Sequence, residues 1–420
     1  LSKEVAIVFP VMLLLVDALR EWNRESAGRP SIVQAVIAAA KRQPWLYGAF
    51  TLLAGLALFG AIFINRASRM EGLWGGPLPT HLGTSFKLFV HYLKMIVYPH
   101  PLIADYTGGV FPISTGFLEP ATLFAALVAL IYFGLSLWVF RRNAYLSVGL
   151  LWVLVGLAPV LQLIPFHEIA ADHFLYLPLV GASLVCGVGV SVLANKVGRK
   201  WLAAIIGLVT IASSALVVTR NADWKDRNTL WEATYRSAPN SYRANVNLGL
   251  AYYREGRSEE GLRLTLRAAE LDPRQPIPLS NLGGFYLTEG MSLRQDGKLD
   301  EAKSSQEKAI QYFSSAIELD PENPFTLSNV ANSYKELGLI FEEKGSPGEA
   351  LEARMKARDF YEKSLSIPDR RRETKAIWLN YALLLIDSEE LGSWLYPMTV
   401  RYLSNFLTEY PDDPRGSYWM

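Results

Sequence analysis

The hydrophobic pattern divides the chain into two unlike halves. As far as about residue 220, long uncharged apolar stretches alternate with short polar ones; beyond it, apolar residues recur at helical spacing among many charges. Val5 to Val16 is an apolar run closed by Asp17 and Arg20, which predicts the end of a spanning helix with Pro10 as a tolerated kink. Gln43 to Asn65 is uncharged and long enough to cross a hydrocarbon core of about 30 Å at about 1.5 Å per residue. Pro120–Phe140, Asn143–Phe166, Phe174–Asn195 and Trp201–Thr219 predict four more spans. Phe86 to Tyr98 carries Lys87, His91 and Lys94 among its apolar residues, and predicts an amphipathic helix lying in the membrane interface.

The second half reads as tetratricopeptide repeats, each a pair of antiparallel helices. Asn247, Leu248 and Gly249, with Tyr252, Gly256, Ala268 and Pro273, fit that pattern. The closing Glu270–Leu271–Asp272–Pro273 recurs as Glu318–Leu319–Asp320–Pro321. Asn281 with Gly283 and Tyr286 opens a second repeat, Asn329 with Ala331 and Tyr334 a third, and Asn380 with Ala382 a weaker fourth. The second and third exceed the usual length of about 34 residues. Adding about seven residues, close to two turns, to both helices keeps each face toward its neighbour, so long helices are predicted rather than bulging loops. This places a multispanning membrane domain at 1–220, a connecting helix at 221–240 and repeats at 241–420.

Charge adds an orientation. Arg20, Arg24, Arg29, Lys41 and Arg42 mark the segment from Arg20 to Arg42 as a cytoplasmic loop, and Arg141–Arg142 and Lys196, Arg199 and Lys200 mark two more. Residues 66–119, the junction at 165–173 and everything after Arg220 then face outward. Half of the 420 residues are hydrophobic and 19% are charged, against roughly 25% in soluble domains. A net charge of +1 gives no reason to expect nucleic acid. The single cysteine, Cys186, lies in an apolar run and reads as packing. The chain opens on Leu1 inside an apolar stretch, which reads as a fragment.

The candidate chemistry lies on the outward side. His167, Glu168, Asp172 and His173, with Tyr176 beyond, sit between two membrane-length runs, where charge is costly without a purpose. They form either a hydrated turn or a site at the membrane surface that meets a charged, lipid-linked substrate. His100, Asp105 and Tyr106 form a second outer patch after Phe86–Tyr98. The spacing of His167 and His173 does not match HExxH, no CxxC or nucleotide-binding glycine motif is present, and no metal or cofactor is implied. Asn247, Asn281, Asn329 and Asn380 share one position of the first helix of each repeat. They are either a packing preference or a ladder of amides that could hold an extended acceptor peptide by its backbone.

Three stretches together resemble one family. Ser2–Lys3–Glu4 opens an apolar segment. Ile169 to Pro178 resembles a motif with an acidic residue and Arg before Tyr-Leu-Tyr-Leu-Pro, with His173 in the place of that Arg. Arg220 to Leu230 resembles the joint between the last membrane helix and the repeats, and Tyr98 to Tyr106 a Pro-x-x-Leu-x-x-Asp-Tyr/Trp loop. These look like the multispanning O-mannosyltransferases with C-terminal tetratricopeptide repeats, including the cadherin-directed enzymes and their bacterial relatives. The resemblance implies an all-α chain: a polytopic helix bundle of incomplete GT-C type followed by a repeat superhelix. It implies transfer of a sugar, mannose in the named enzymes, from a polyprenyl phosphate to Ser or Thr of a protein on the outer face. The general base would lie upstream of Leu1. Donor binding would fall to His167, Glu168, Asp172, His173, Tyr176, Asp105 and Tyr106, with Asp172 orienting His173 or binding sugar hydroxyls, and acceptor binding to the asparagine ladder. Two other classes fit the residues: a membrane-anchored repeat scaffold for envelope proteins, and an oligosaccharide transferase like the O-antigen ligases.

Overall fold

The computed structural model describes residues 8–24, 29–59, 78–106, 109–162, 168–367 and 374–386; these form helices joined by loops, with no strand among them. The chain forms two compact units, Leu1–Ala244 and Asn245–Met420.

In the first unit, α1 (Phe9–Arg24) continues past the charges expected to end it. Asp17 accepts hydrogen bonds from Tyr47 Oη at 2.6 Å and Arg20 at 2.7 Å. Glu21 pairs with Arg24 at 2.8 Å and Arg42 at 2.7 Å. Both carboxylates are buried with partners, so the helix keeps its polar residues on a protected face. The supposed loop from Arg20 to Arg42 is itself largely helix: α2 (Ile32–Arg42) starts at a capping box in which Ser31 and Gln34 satisfy each other's backbone N–H. Next come α3 (Pro44–Phe59), α4 (Leu78–Val97), α5 (Pro120–Val139) and α6 (Ala144–Leu157). Then follow α7 (Tyr176–Val197), α8 (Arg199–Asp223) and α9 (Arg227–Ser237).

Among the described residues, three helices are long and apolar enough to cross a membrane: Pro120–Val139, Asp172–Val197 and Arg199–Asp223. No residue of α8 is fully buried, and Leu208, Ile211 and Val218 stand well exposed along it. Trp201 and Trp224 are exposed at its two ends, roughly 35 Å apart at 1.5 Å per residue, which matches aromatic anchors at both faces of a bilayer. In the described part of the apolar run Asn143–Phe166, α6 ends at Leu157 and a short 3₁₀ turn follows at Ala158–Val160. Pro159 has no N–H to give the helix, and Gln162 turns the chain with a φ of 61°. The last part of Gln43–Asn65 lies outside the described residues.

α4 differs from the expected interfacial helix. It is 20 residues long, and Leu88, Phe89, Tyr92 and Met95 are buried in the main core of the unit. Lys87 is inside as well, at 2.7 Å from Glu119. The Lys87 ammonium, with the Thr115 N–H, holds the Glu119 carboxyl down to about 2. The apolar face of α4 therefore covers protein, and its lysine is neutralised rather than hydrated.

α6 and α7 approach through small residues. A Cβ on Gly181 would meet Trp152 Cβ at 2.8 Å and the Val153 N at 3.0 Å, and one on Gly149 would meet Val185 Cγ2 at 2.8 Å. Such small-on-small contacts let helices pack where no hydrophobic effect drives them together.

The second unit is a run of helix pairs: α10 (Tyr242–Arg254) with α11 (Ser258–Leu271), α12 (Pro276–Gln295) with α13 (Leu299–Leu319), α14 (Pro324–Glu343) with α15 (Pro347–Ser366), and then α16 (Thr374–Ile386). The first pair has 13 and 14 residues; the next four helices have 20, 21, 20 and 20. Gly256, Gly297 and Gly345 make the turns within the pairs at φ of 82°, 77° and 74°, a conformation that closes helices cheaply only for glycine. Within the pairs, Gly249 faces Thr265 and Gly283 faces the Phe313 ring. The added turns have their own core around Ala302, Leu337, Ile340 and Ala353. Arg294 ties them across, at 3.1 Å from Glu336 and 2.7 Å from Glu343.

Candidate functional site

A pocket of about 480 Å³ opens in the first unit. Three pieces of backbone frame it: Pro99–Asp105 after α4, Glu168–Tyr176 leading into α7, and the end of α8 at Arg220 and Trp224. The first two are held from behind. Gln162 Nε2 donates to the Glu168 carbonyl at 2.6 Å and the Ile169 carbonyl at 3.2 Å. The Gln162 carbonyl meets His81 Nε2 at 2.6 Å, which fixes its unusual backbone. Tyr92 Oη accepts the Ala171 N–H at 3.2 Å, and Thr234 Oγ1 accepts that of Ala104 at 3.3 Å. Ile169, Ala170, Phe174 and Leu175 are buried in the core beneath. Buried anchors on both sides of a short segment give its polar side chains fixed directions.

Asp105, Glu168, Asp172, His173 and Tyr176 line this pocket together. Tyr106 stands behind them, buried, and donates its hydroxyl to Asp172 Oδ1 at 2.7 Å. Burial, and then the Asp172 carboxylate, push the Tyr106 phenol above its ordinary range, so it stays a donor. The Asp105 side chain is 3% exposed and lies 3.8 Å from Arg243. Asp172 accepts from Tyr106, lies 3.8 Å from Arg220 and interacts electrostatically with His173. The partner of His173 is Glu168 at 3.9 Å. Tyr176 is 77% exposed at the rim. His167 lies outside the described residues. Close behind, the buried imidazole of His91 packs against Tyr92, Tyr106 and Phe111; burial, with Lys94 beside it, pulls it down to about 4, so it is neutral.

Arg220 is the lining residue that the sequence did not single out for chemistry. At the end of α8 it reads as one more positive charge after a span, and its approach to Asp172, far away along the chain, has no local signature. Trp224 is 58% exposed beside it, with the guanidinium 5.7 Å from its ring. Carboxylates that accept from hydroxyls, exposed aromatic rings that can stack on a pyranose and a guanidinium are together suited to a polar, ring-shaped ligand carrying negative charge. No group of three or more His, Cys, Asp or Glu residues among the described ones is placed to hold a metal ion.

In the second unit, Asn247, Asn281, Asn329 and Asn380 are all half-buried. Asn380 donates to Asn332 Oδ1 at 3.3 Å, and Tyr361 Oη donates to the same oxygen, so the fourth amide also braces neighbouring helices. Asn281 Nδ2 is enclosed without a hydrogen-bond partner.

The tetratricopeptide-repeat family profile matches residues 284–314. The protein O-mannosyl-transferase TMTC3 of Mus musculus is 25% identical over 240 residues, which is 56% of this chain and 26% of that protein. The protein O-mannosyl-transferase Tmtc2 of Drosophila melanogaster is 36% identical over 107 residues, 25% of this chain and 11% of that protein. The aligned stretches thus span about a quarter or less of these curated relatives. Among solved structures, the crystal structure of MamA is 20% identical and covers 46% of this chain and 92% of its own, with a TM-score of 0.28. The chain is an all-helical protein with tetratricopeptide repeats that is similar, over about half its length, to the protein O-mannosyl-transferases of animals.

Proposed function

We propose that the chain is the part of a multi-pass membrane glycosyltransferase of GT-C type that holds the lipid-linked donor and the protein acceptor. The donor is a sugar, mannose by the names of its relatives, on a polyprenyl phosphate; the acceptor is a Ser or Thr hydroxyl of a polypeptide on the outer face of the membrane. One observation carries this reading: Asp105, Glu168, Asp172, His173 and Tyr176 converge in one pocket at the ends of two apolar, membrane-length helices. A lipid-linked donor needs that placement, with its chain in hydrocarbon and its head at the surface.

In the reaction, a general base takes the proton from the acceptor hydroxyl as the oxygen attacks the anomeric carbon. The bond from that carbon to the phosphate oxygen breaks, and the lipid phosphate leaves. Asp172, held by Tyr106, accepts from sugar hydroxyls, while His173 and Tyr176 lie where the head group enters. The repeats hold the acceptor in an extended form, with Asn247, Asn281, Asn329 and Asn380 along the first helices offering amides to its backbone. Binding there raises the local concentration of hydroxyls at the site.

The test is transfer by the full-length protein in liposomes, with polyprenyl-phosphate-mannose and GDP-mannose offered separately. The lipid donor is expected to mannosylate a Ser/Thr-rich protein acceptor and the nucleotide sugar to give none. Turnover from GDP-mannose without the lipid donor would refute the reading.

A further inference from the structure

We infer that Arg220 is the ligand of the donor's phosphate. The inference rests on the reading of the pocket as the donor site, and it concerns a residue at the end of α8. Among the described residues that line the pocket, Arg220 is the one arginine or lysine. His173 is half-exposed and 3.9 Å from Glu168, and an imidazole presents no fork of donors to a phosphate.

The guanidinium is placed and partly unused. Its side chain is 16% exposed. Nη1 donates to Asp223 at 3.1 Å, which fixes the fork in position. Nη2 is buried without a hydrogen-bond partner, and Asp172 Oδ2, at 3.8 Å, is beyond hydrogen-bond reach. A buried charged donor left without an acceptor is costly, and a phosphate oxygen in the pocket would supply one.

The charges also suit a phosphate that changes during the reaction. A sugar joined through phosphate to a lipid is a diester with a single negative charge. When the sugar leaves, the phosphate becomes a monoester and gains charge. A guanidinium beside Asp172 and Asp223 is partly neutralised in the resting pocket, which disfavours tight holding of the singly charged donor. Its attraction grows as charge develops on the leaving oxygen, so it favours the transition state over the ground state.

The test is binding to the detergent-solubilised full chain, with farnesyl phosphate, farnesol and inorganic phosphate as probes. Arg220→Gln, which keeps a polar side chain of similar reach, is expected to weaken farnesyl phosphate by about ten- to a hundredfold and to leave farnesol unchanged. Arg220→Lys is expected to fall between, because an ammonium cannot present a fork. Asp172→Asn, which removes a competing carboxylate, is expected to bind farnesyl phosphate at least as tightly as the parent. Equal loss for farnesol and farnesyl phosphate in Arg220→Gln, or no loss for either, would overturn the assignment. Displacement by inorganic phosphate at the same concentration would also overturn it, since the site would then recognise free phosphate. Arg220-dependent binding in a protein that transfers no sugar would sink the transferase reading and leave this assignment standing.

Discussion

Replacing Gly181 by leucine should destabilise the membrane unit by at least about 3 kcal/mol, the upper end of the usual cost of overpacking. The first carbon of any side chain there would meet Trp152 Cβ at 2.8 Å and the Val153 N at 3.0 Å. Most of what it meets belongs to the backbone or to the stem of a side chain, so no rotamer change relieves it. α6 and α7 would have to separate, and α7 carries the segment that frames the pocket. Gly187→Leu on the same helix is the control, because a Cβ there meets nothing within 4 Å. Thermal unfolding in detergent should show a large loss for Gly181→Leu and little change for Gly187→Leu. Equal stability of the two variants would mean that the close approach of the helices is not a real constraint.

The second large effect is on turnover. Asp172→Asn should lower sugar transfer by about ten- to a hundredfold, the worth of hydrogen bonds to a charged group, while the protein stays folded. The carboxylate accepts from Tyr106 at 2.7 Å and is the pocket's nearest anion to Arg220, so an amide of the same shape keeps the packing and removes the charge. Asp172→Ala is a poorer test. It strands the buried Tyr106 hydroxyl, at a cost of about 1–3 kcal/mol, more than the roughly 0.5 kcal/mol of an ordinary surface site. His173, at 39% exposure, behaves more like such a site. Unchanged transfer by Asp172→Asn, with normal unfolding, would reduce the cluster to a structural hydrogen-bond network.

The parts of the fold that were legible in the sequence are those set by local pattern. The uncharged run of α8 and the recurring Asn, Gly and Tyr of the repeats need no distant partner to be recognised, and the lengthened α12 to α15 follow from the spacings of Pro273 to Pro321 and Pro321 to Asp369. What misled the reading depends on contacts far apart in sequence. Asp17 and Glu21 look like a helix end until Tyr47 and Arg42 are placed beside them. The Arg20–Arg42 segment looks like a loop because of its charges, although Ser31 and Gln34 carry a cap signature at capping-box spacing. Lys87 marks a polar face until Glu119 is found against it. The same holds at the site. Glu168 to Tyr176 stand out because charge between two apolar runs is conspicuous, and Asp105 with Tyr106 because the loop is rich in aromatics. Nothing local links Tyr106 to Asp172, or Arg220 to either.

The central claim is that the head group of a lipid-linked sugar sits among Asp105, Asp172, His173 and Arg220. The most direct measurement is a cryo-EM map of the full-length protein in nanodiscs with polyprenyl-phosphate-mannose bound. The account predicts density for the sugar and phosphate in this pocket, with the lipid chain running along the exposed apolar faces of α7 or α8. Head-group density elsewhere on the protein, with this pocket holding only solvent, would contradict it.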